Sequence, residues 1–343
     1  MLEGLDVGSV GRWIEANVAG TRGPFSATLI GGGRSNLTYA VTGADGRRLV
    51  VRRPPLGRVL ATAHDVGREF RIIAALGPTP VPVPAALALC TDESVNGTPF
   101  YVMEFVDGVV LDRPEKVDLL DPPTRGRASE NLIDTLAELH AVDIDAVGLG
   151  DLAKRDGYIE RQLRRWRRQW ADSKTRELPA IDEVAERLSG QIPPQHEVAI
   201  AHGDYRFGNC LTDPVTGRIN AVLDWELCTL GDPLADVGYF GVYWADPGAG
   251  SRRPNDPSGA EGFPTYADLL DRYARRTGRD LSGIDYYVAF QSWRLAVISE
   301  GVYARFLHGA MGDQGVGADE LATMKAGTER LAGDALDAVG RLG

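Results

Sequence analysis

Residues 106–108 separate two kinds of hydrophobic pattern, and this change constrains the fold more than any other feature of the chain. Before it, residues 25–53 contain three strand-like segments separated by a glycine-rich stretch and an ADGR turn. A helix-like segment at residues 63–77 and two further strand-like segments, residues 86–92 and 99–106, complete this part. The pattern predicts a small α+β lobe of about five antiparallel strands with one inserted helix.

The rest of the chain is dominated by helical periodicity. One polar stretch, residues 197–240, interrupts it, and its segments NCLT and INAVLDW flank a DPVTG turn that predicts a hairpin. Residues 247–261 are rich in Gly, Pro, Ser and charge, which predicts a mobile loop. We therefore expect an α+β protein of two lobes, residues 1–106 and residues 107–343, the second of which is mainly helical.

Charge and composition exclude several classes of protein. The formal net charge of -11 argues against a general nucleic-acid surface, because phosphate backbones are held mainly by excess Lys and Arg. No apolar run is long enough to cross a bilayer, and the N-terminal residues lack the basic start and apolar run of a secretory signal. The three scattered cysteines form no CxxC pair, which indicates neither disulfides nor structural zinc. We expect a cytoplasmic protein without nucleic-acid or membrane partners.

The most specific motif lies in the polar stretch. It reads H-G-D-x-x-x-x-N from His202 to Asn209, with Asp204 as its aspartate, and Asp224 follows beyond the predicted hairpin. Phosphoryl transfer needs metal ligands that bridge the phosphates and a carboxylate that orients the attacking hydroxyl. Oxygen donors such as carboxylates and amide carbonyls suit Mg²⁺. The pattern therefore predicts that Asp204 meets a substrate hydroxyl, while Asn209 and Asp224 hold magnesium.

A purely structural interpretation competes with this one, because Asp and Asn are common in turns. Three oxygen ligands at this spacing, joined by a hairpin and preceded by a five-strand lobe, favour the catalytic interpretation. His202 is expected to brace the loop by hydrogen bonds. Asp232, which precedes Pro233, predicts a helix cap, and for Asp236 in the next turn we expect a structural role.

These motifs and this order of elements resemble the aminoglycoside phosphotransferase and choline kinase-like family, over nearly the whole chain. The resemblance is closest to the kinase-like domain associated with acyl-CoA dehydrogenase proteins. It implies a bilobal protein-kinase-like fold, in which residues 1–106 bind a nucleotide and residues 107–343 carry catalysis and substrate binding. The expected reaction is transfer of the γ-phosphate of ATP, with Mg²⁺, to the hydroxyl of a small molecule. Trp225-Glu226 stands where protein kinases have Phe-Gly, so regulation by a flipping Phe is not expected.

The resemblance also implies residues for nucleotide binding. Kinases hold the α- and β-phosphates with a cation on the third strand, and a carboxylate on the next helix holds that cation. Here Arg52, or its neighbour Arg53, stands in place of the usual lysine, and Glu69 is the expected partner. The alternative is an ordinary surface ion pair, worth about 0–1 kcal/mol.

Two backbone segments complete the expected nucleotide site. Gly32, Gly33 and Ser35 belong to a loop between the first two strands that would curl over the phosphates, although three glycines between strands are more often a simple turn. Glu104 and Val106 end the last strand of the lobe, where kinase-like proteins offer backbone groups to adenine.

The predicted helix at residues 158–170 carries an apolar and a basic face. The apolar face comprises Ile159, Leu163, Trp166 and Trp170. The basic face comprises Arg161, Arg164, Arg165 and Arg168. Arginine forks suit phosphate oxygens, and the dehydrogenase-linked relatives imply hydroxyacyl-CoA substrates, so we expect an anionic acceptor. A solvated helix face, an aminoglycoside or other small amine or sugar as acceptor, and a catalytically inactive nucleotide-binding module are the alternatives.

Overall fold

The protein is described here by a computed structural model. The residues that it describes are 2–31, 36–56, 65–248, 257–308 and 317–342. The chain forms two compact units. Unit 1 comprises Met1–Glu138, Val142–Leu149 and Phe207–Leu227. Unit 2 comprises Leu139–Ala141, Gly150–Arg206 and Cys228–Gly343. The expected division at residue 106 concerns nucleotide binding and catalysis, which this grouping does not test, and it stays a prediction.

The described residues contain the predicted strands and helices in the predicted order, together with some elements that the sequence analysis did not predict. The strands are β1 Ser26–Gly31, β2 Leu37–Thr42, β3 Arg48–Arg53, β4 Ala86–Cys90, β5 Phe100–Glu104, β6 Ala199–Ala201, β7 Cys210–Thr212, β8 Ile219–Val222 and β9 Thr229–Gly231. The helices are α1 Val7–Asn17, α2 Val66–Leu76, α3 Glu93–Asn96, α4 Pro114–Val117, α5 Pro122–His140, α6 Tyr158–Ser173, α7 Pro179–Gly190, α8 Pro233–Val242, α9 Tyr266–Thr277, α10 Ile284–Leu307 and α11 Ala318–Gly340. The predicted α+β class is therefore confirmed.

Unit 1 is built on a five-stranded antiparallel sheet in the order β1-β2-β3-β5-β4. Alternate residues of β3, such as Leu49 and Val51, are fully buried and pack with α1 in one hydrophobic core. The sequence analysis assigned no element to α1, in which Gly8 and Gly11 lower helix propensity. The Asp6 side chain caps this helix by accepting the Ser9 backbone N–H, and tertiary packing on the sheet stabilises it.

The predicted hairpin is formed by β7 and β8, which pair antiparallel within unit 1. The Val222 backbone N–H donates to the carbonyl of Pro82 at 2.8 Å, so the hairpin is tied to the proline-rich segment. The Leu223 N–H donates to the Asn209 carbonyl at 2.8 Å. These bonds fix the backbone at the open end of the hairpin, where Asn209 precedes β7 and Asp224 follows β8.

Unit 2 is mainly helical and has its own core. Helices α6, α7, α10 and α11 pack together around the buried side chains of Trp170, Phe290 and Trp293. On α6, the predicted apolar face is confirmed, because Ile159, Leu163 and Trp170 are buried and Trp166 packs partly buried against the same core.

Two further predictions concerned a mobile loop and membrane-spanning segments. Of the predicted loop at residues 247–261, residues 249–256 lie outside the described part of the chain. Among the described residues, no helix combines the length and the apolar character that crossing a membrane would require.

Candidate active site

Unit 1 contains a cavity of about 370 Å³ between its sheet and the β7–β8 hairpin. Its apolar wall includes Ile30, Val50, Ile73, Pro84, Met103, Phe105, Val106, Val110, Leu211 and Val222. Its polar wall includes Thr38, Arg52, Tyr101, Glu104, Asn209 and Asp224. A largely apolar cavity of this size with a few convergent polar groups is typical of a small-molecule or cofactor site.

Arg52 is the cation of this cavity. Its Nε lies 2.8 Å from Oε2 of Glu69, and one terminal nitrogen lies 2.5 Å from Oδ1 of Asp224. Arg53 points to the other face of β3, as strand alternation requires, and donates to the carbonyls of Gly4 and Pro54. The Arg52–Glu69 ion pair expected from the order of elements is thus present, and the geometry favours Arg52 over Arg53 as the cation facing the cavity.

Glu69 lies behind Arg52 on α2 and is 1% exposed. The Asp65 side chain caps this helix at the Arg68 N–H, which places Glu69 in the first turn. Oε1 of Glu69 accepts a hydrogen bond from the Asn36 side-chain amide, and Oε2 accepts one from the Tyr101 hydroxyl at 3.1 Å. A carboxylate held from three sides orients Arg52 with little freedom.

The pKa values of this cluster reflect one cation shared by two carboxylates. Burial raises the pKa of Glu69, and the attraction of Arg52 does not fully offset it, because Asp224 repels the same carboxylate. For Arg52, burial acts to lower the pKa, but the negative charges of Glu69 and Asp224 outweigh burial and raise it. The guanidinium is therefore firmly protonated.

Asp224 follows β8 in a left-handed backbone conformation. Its φ of 64° is the only positive value among the described non-glycine residues. Such a conformation costs of order 1–3 kcal/mol and persists only where the surrounding structure enforces it. Two hydrogen bonds enforce it here. On one side, the Leu223 backbone N–H donates to the Asn209 carbonyl, and on the other, the Trp225 indole donates to the Val222 carbonyl at 3.1 Å. The strain aims the Asp224 carboxylate at the cavity and at Arg52.

Asn209 and Asp224 fit a magnesium ion by their chemistry. Both line the cavity, and each offers an oxygen donor of the kind that Mg²⁺ prefers. Arg52 faces two carboxylates, Glu69 and Asp224, so the cluster carries a net negative charge that favours a divalent cation. The assignment of these two residues as metal ligands stays a prediction.

Of the two backbone segments expected to contact a nucleotide, the structure describes only one. Glu104 and Val106 both line the cavity. The Glu104 side chain forms an ion pair with Arg47 at 3.1 Å, so the backbone groups of this segment are the ones available to a ligand in the cavity. Gly32, Gly33 and Ser35 lie outside the described residues. Their predicted role in phosphate binding remains a prediction.

Asp204 belongs to unit 2 and is held there by two side chains. Its Oδ1 accepts a hydrogen bond from the Tyr239 hydroxyl and lies 3.2 Å from Nε of Arg206. Its backbone N–H donates to Nδ1 of His202 at 3.2 Å, so His202 braces the loop as expected. Burial and the charge of Asp204 raise the pKa of Tyr239 well above its usual value, which keeps this hydroxyl protonated as a donor.

Asp236 on α8 holds the same loop through its backbone. Its carboxylate accepts the N–H groups of His202 at 2.6 Å and Gly203 at 2.9 Å, and Nε2 of His140 lies 3.4 Å away. Burial acts to raise the pKa of Asp236, but these donors outweigh it and hold the pKa below its usual value. The structural role expected for Asp236 is confirmed, as is that of Asp232, whose side chain caps α8 at the Leu234 N–H.

The sequence analysis missed Tyr239, Arg206, Tyr101 and the partnership of Asn36 with Glu69. Asp232, Asp236 and Tyr239 are spaced i, i+4, i+7 and lie on one face of α8. This polar stripe on an otherwise apolar helix was the available signal for Tyr239.

The four arginines predicted to bind the acceptor lie on α6 in unit 2. Arg164, Arg165 and Arg168 are exposed, whereas Arg161 is half-buried and donates to the Lys154 carbonyl at 2.6 Å. Their role in binding stays a prediction.

Comparison with known proteins supports the kinase-like interpretation of this geometry. The profile of the phosphotransferase enzyme family matches residues 26–283. The chain is 37% identical to acyl-CoA dehydrogenase family member 10 of Mus musculus over 84% of its own length and 27% of that protein. It is 35% identical to acyl-CoA dehydrogenase family member 11 of Gallus gallus over 89% of its own length and 40% of that protein. The chain thus spans less than half the length of these curated relatives.

A solved structure agrees over nearly the full length of both chains. The crystal structure of a putative aminoglycoside phosphotransferase from Ralstonia eutropha superimposes with a TM-score of 0.81 and 34% identity, covering 98% of each chain. Aminoglycoside 2′-phosphotransferase-IIIa in its GDP complex, at 14% identity and a TM-score of 0.65, shares the fold. The chain therefore belongs to the phosphotransferase enzyme family.

Proposed function

We propose that this protein is an ATP-dependent kinase that transfers the γ-phosphate to a hydroxyl of a small molecule. The observation that carries this proposal is the cluster in which Arg52 and Asp224, which line the unit 1 cavity, are joined to the buried carboxylate of Glu69. A surface ion pair would be worth about 0–1 kcal/mol and would be exposed, whereas here the Glu69 carboxylate is buried and braced from three sides.

Each residue has a proposed role. Arg52, oriented by Glu69, binds the phosphates in place of the usual lysine. Asn209 and Asp224 hold magnesium. When bound, ATP supplies the phosphoryl group and Mg²⁺ offsets the charge of its phosphates. Asp204, oriented by Tyr239, accepts the proton of the acceptor hydroxyl as its oxygen bonds to phosphorus and ADP departs.

Backbone groups complete the proposed nucleotide site. Glu104 and Val106, which line the cavity, contact adenine through their backbone. Gly32, Gly33 and Ser35 contact the phosphates through backbone amides.

For the acceptor, we propose an anionic hydroxyl compound of the hydroxyacyl-CoA type. Two observations support it: the curated relatives are named acyl-CoA dehydrogenase family members, and α6 exposes Arg164, Arg165 and Arg168. Arginine forks match phosphate oxygens, several of which a CoA thioester carries. An aminoglycoside or another amine or sugar is the alternative acceptor, and the solved aminoglycoside phosphotransferase structures favour it at the level of fold.

An ATP-consumption assay across an acceptor panel tests both parts. The panel contains hydroxyacyl-CoA thioesters, kanamycin-like amines, choline-like amines and sugars, with Asp204→Ala as the inactive reference. We expect Mg²⁺-dependent ADP formation that responds to the thioesters and is lost in Asp204→Ala. Turnover of kanamycin-like amines without response to thioesters would refute the proposed acceptor. Tight Mg·ATP binding without turnover of any acceptor would indicate a catalytically inactive nucleotide-binding module.

A further inference from the structure

In unit 2, one indole ring lies close to two guanidinium groups. The Cζ atom of Arg165 lies 5.0 Å from the ring centroid of Trp166, and that of Arg294, on α10, lies 5.4 Å from the same centroid. Arg294 also lies 5.6 Å from the ring of Tyr239, whose hydroxyl donates to Asp204. Two cations therefore share one aromatic neighbour beside residues 202–206, called the catalytic loop below because this segment carries Asp204.

Arg294 is tied directly to the catalytic loop. Both of its terminal nitrogens donate to the Gly203 carbonyl at 3.1 Å, and one also donates to the Gln291 side chain at 2.9 Å. The side chain is only 5% exposed, and its buried Nε finds no acceptor among the described residues. Within the described part of the chain, neither Arg294 nor Arg165 forms an ion pair with a carboxylate.

The carboxylates of this region are engaged elsewhere. Asp236 accepts backbone N–H groups of the loop, and Asp232 accepts the Leu234 N–H and the Tyr287 hydroxyl. Asp204 is held by Tyr239 and Arg206. Among the described residues, the positive charges of Arg165 and Arg294 are therefore left without a carboxylate partner. This is costly for Arg294, which is buried, and is typical of a site completed by an anionic ligand.

The electrostatics agree with this geometry. Although the Arg165 side chain is exposed as a whole, its guanidinium packs against Trp166. This partial burial lowers the pKa of Arg165, and the positive charge of Arg294 lowers it further. Two like charges that destabilise each other would both be stabilised by one dianion.

We propose that Arg165, Trp166 and Arg294 form a binding site for a phosphate group of the acceptor. This inference rests on the proposed function and deepens it, because it places the recognition of the acceptor in a named cluster. Arg165 contacts the phosphate oxygens from solvent, Trp166 packs against the adjoining part of the acceptor, and Arg294 adds charge while it holds the Gly203 carbonyl.

The test compares two ligands that differ by one phosphate, pantetheine and 4′-phosphopantetheine. Binding of each is measured by calorimetry with the nucleotide site saturated by Mg²⁺ and a non-hydrolysable ATP analogue. We expect the wild-type protein to prefer 4′-phosphopantetheine by about tenfold or more, and Arg165→Gln to lose most of that preference. Arg167→Gln is the matched control, because it removes the same charge from the same helix but breaks a pair with Glu186 at 3.0 Å.

A wild-type protein that binds both ligands equally, or an Arg165→Gln variant that keeps the preference of Arg167→Gln, would overturn the proposal. Arg294→Lys serves as a second variant, since it keeps the charge but loses the fork on Gly203, and we expect an intermediate preference. Binding of Mg·ATP to the wild-type protein is measured separately. If ATP does not bind, the proposed function fails, and the same ligand pair is then compared without the analogue, so that the two failures are distinguished.

Discussion

Glu69 in unit 1 and Asp236 in unit 2 are both 1% exposed, yet their pKa values shift in opposite directions. Burial raises the pKa of Glu69, because its one cation, Arg52, is shared with the competing carboxylate of Asp224. Burial also acts to raise the pKa of Asp236, but this carboxylate receives hydrogen bonds from His140 and from backbone N–H groups, so its pKa falls. Two carboxylates that are equally buried can therefore have pKa shifts of opposite sign, because the hydrogen-bond donors and charges around each one decide the direction.

The difference also separates two ways of building a site. In unit 1, the Arg52 side chain is held by the side chains of Glu69 and Asp224, and this cluster has a net negative charge that suits a cation. In unit 2, Asp236 on α8 holds the loop through two backbone N–H groups, and Tyr239 on the same helix orients the Asp204 side chain. Substitutions in the unit 1 cluster should therefore alter Mg·ATP binding, and substitutions in the unit 2 loop or in the α8 residues that hold it should alter stability or turnover.

The largest expected effect is on stability, from Asp236→Ala. This change leaves the buried N–H groups of His202 and Gly203 without an acceptor, and we expect a loss of about 3–5 kcal/mol in the free energy of unfolding. Urea denaturation measures it. Asp271→Ala, at an exposed position on α9, should stay within about 0.5 kcal/mol of the wild type. Comparable losses in both variants would show that Asp236 does not hold the loop.

Next in size is the effect of Arg52→Lys on Mg·ATP binding. Lysine keeps the charge but cannot reach Glu69 and Asp224 with separate nitrogens, so we expect a loss of about 1.5–3 kcal/mol in binding free energy by calorimetry. Arg53→Lys is the matched control on the opposite face of β3, and its affinity should match that of the wild type. Equal losses in the two variants would mean that the pairing with Glu69 and Asp224 is irrelevant to nucleotide binding.

A smaller effect is expected from Tyr239→Phe. It removes the hydroxyl that donates to Asp204, and we expect turnover to fall about tenfold with Mg·ATP affinity unchanged. Tyr266→Phe loses a comparable hydroxyl bond, to the Val237 carbonyl on α8, and should keep full turnover. If Tyr266→Phe slows turnover as much, the orientation of Asp204 by Tyr239 is not the cause.

The smallest effect concerns pH and His140. Its Nδ1 forms a hydrogen bond with the Tyr273 hydroxyl at 2.7 Å, its Nε2 faces Asp236, and Arg279 lies beside Tyr273. Burial lowers its pKa below the unfolded value of about 6.5, so the unfolded chain binds the proton more readily, and stability falls as pH drops below about 6.5.

Unfolding free energies between pH 5 and pH 8 test this assignment. The wild type should lose at most about 1.4 kcal/mol per pH unit from this group, and His140→Gln should show a flatter profile. His196→Gln, at an exposed position, should keep the wild-type slope. A His140→Gln profile parallel to that of the wild type would contradict the assignment.

Local periodicity made most elements predictable. The strands of unit 1 alternate or form short apolar runs, and α6 and α10 carry long helical patterns, so their existence follows from nearest neighbours along the chain. Helix α1 was missed because its glycines weaken the local signal, and packing of Val10 and Ile14 on the sheet makes up for it. Local propensity alone does not contain that packing energy.

The candidate site was predictable only where order along the chain determines position. Arg52 and Glu69 follow from a cation on the third strand and a carboxylate on the next helix, but strand register decides between Arg52 and Arg53. Tyr101 faces Arg52 only because β5 pairs with β3, a non-consecutive neighbour. The hydrogen bonds that join Asp236 and Tyr239 on α8 to residues 202–204 are likewise long-range contacts, and sequence spacing predicts only the polar stripe on this helix.

The account's central claim is a division of labour, in which the unit 1 cluster binds Mg·ATP and the unit 2 loop carries the chemistry. The most direct measurement combines Mg·ATP calorimetry and phosphoryl-transfer turnover for Asp224→Ala and Asp204→Asn. We predict that Asp224→Ala abolishes Mg²⁺-dependent ATP binding, whereas Asp204→Asn retains binding and loses turnover by roughly 10²–10⁴-fold. Unchanged Mg·ATP affinity in Asp224→Ala, or wild-type turnover in Asp204→Asn, would contradict the claim.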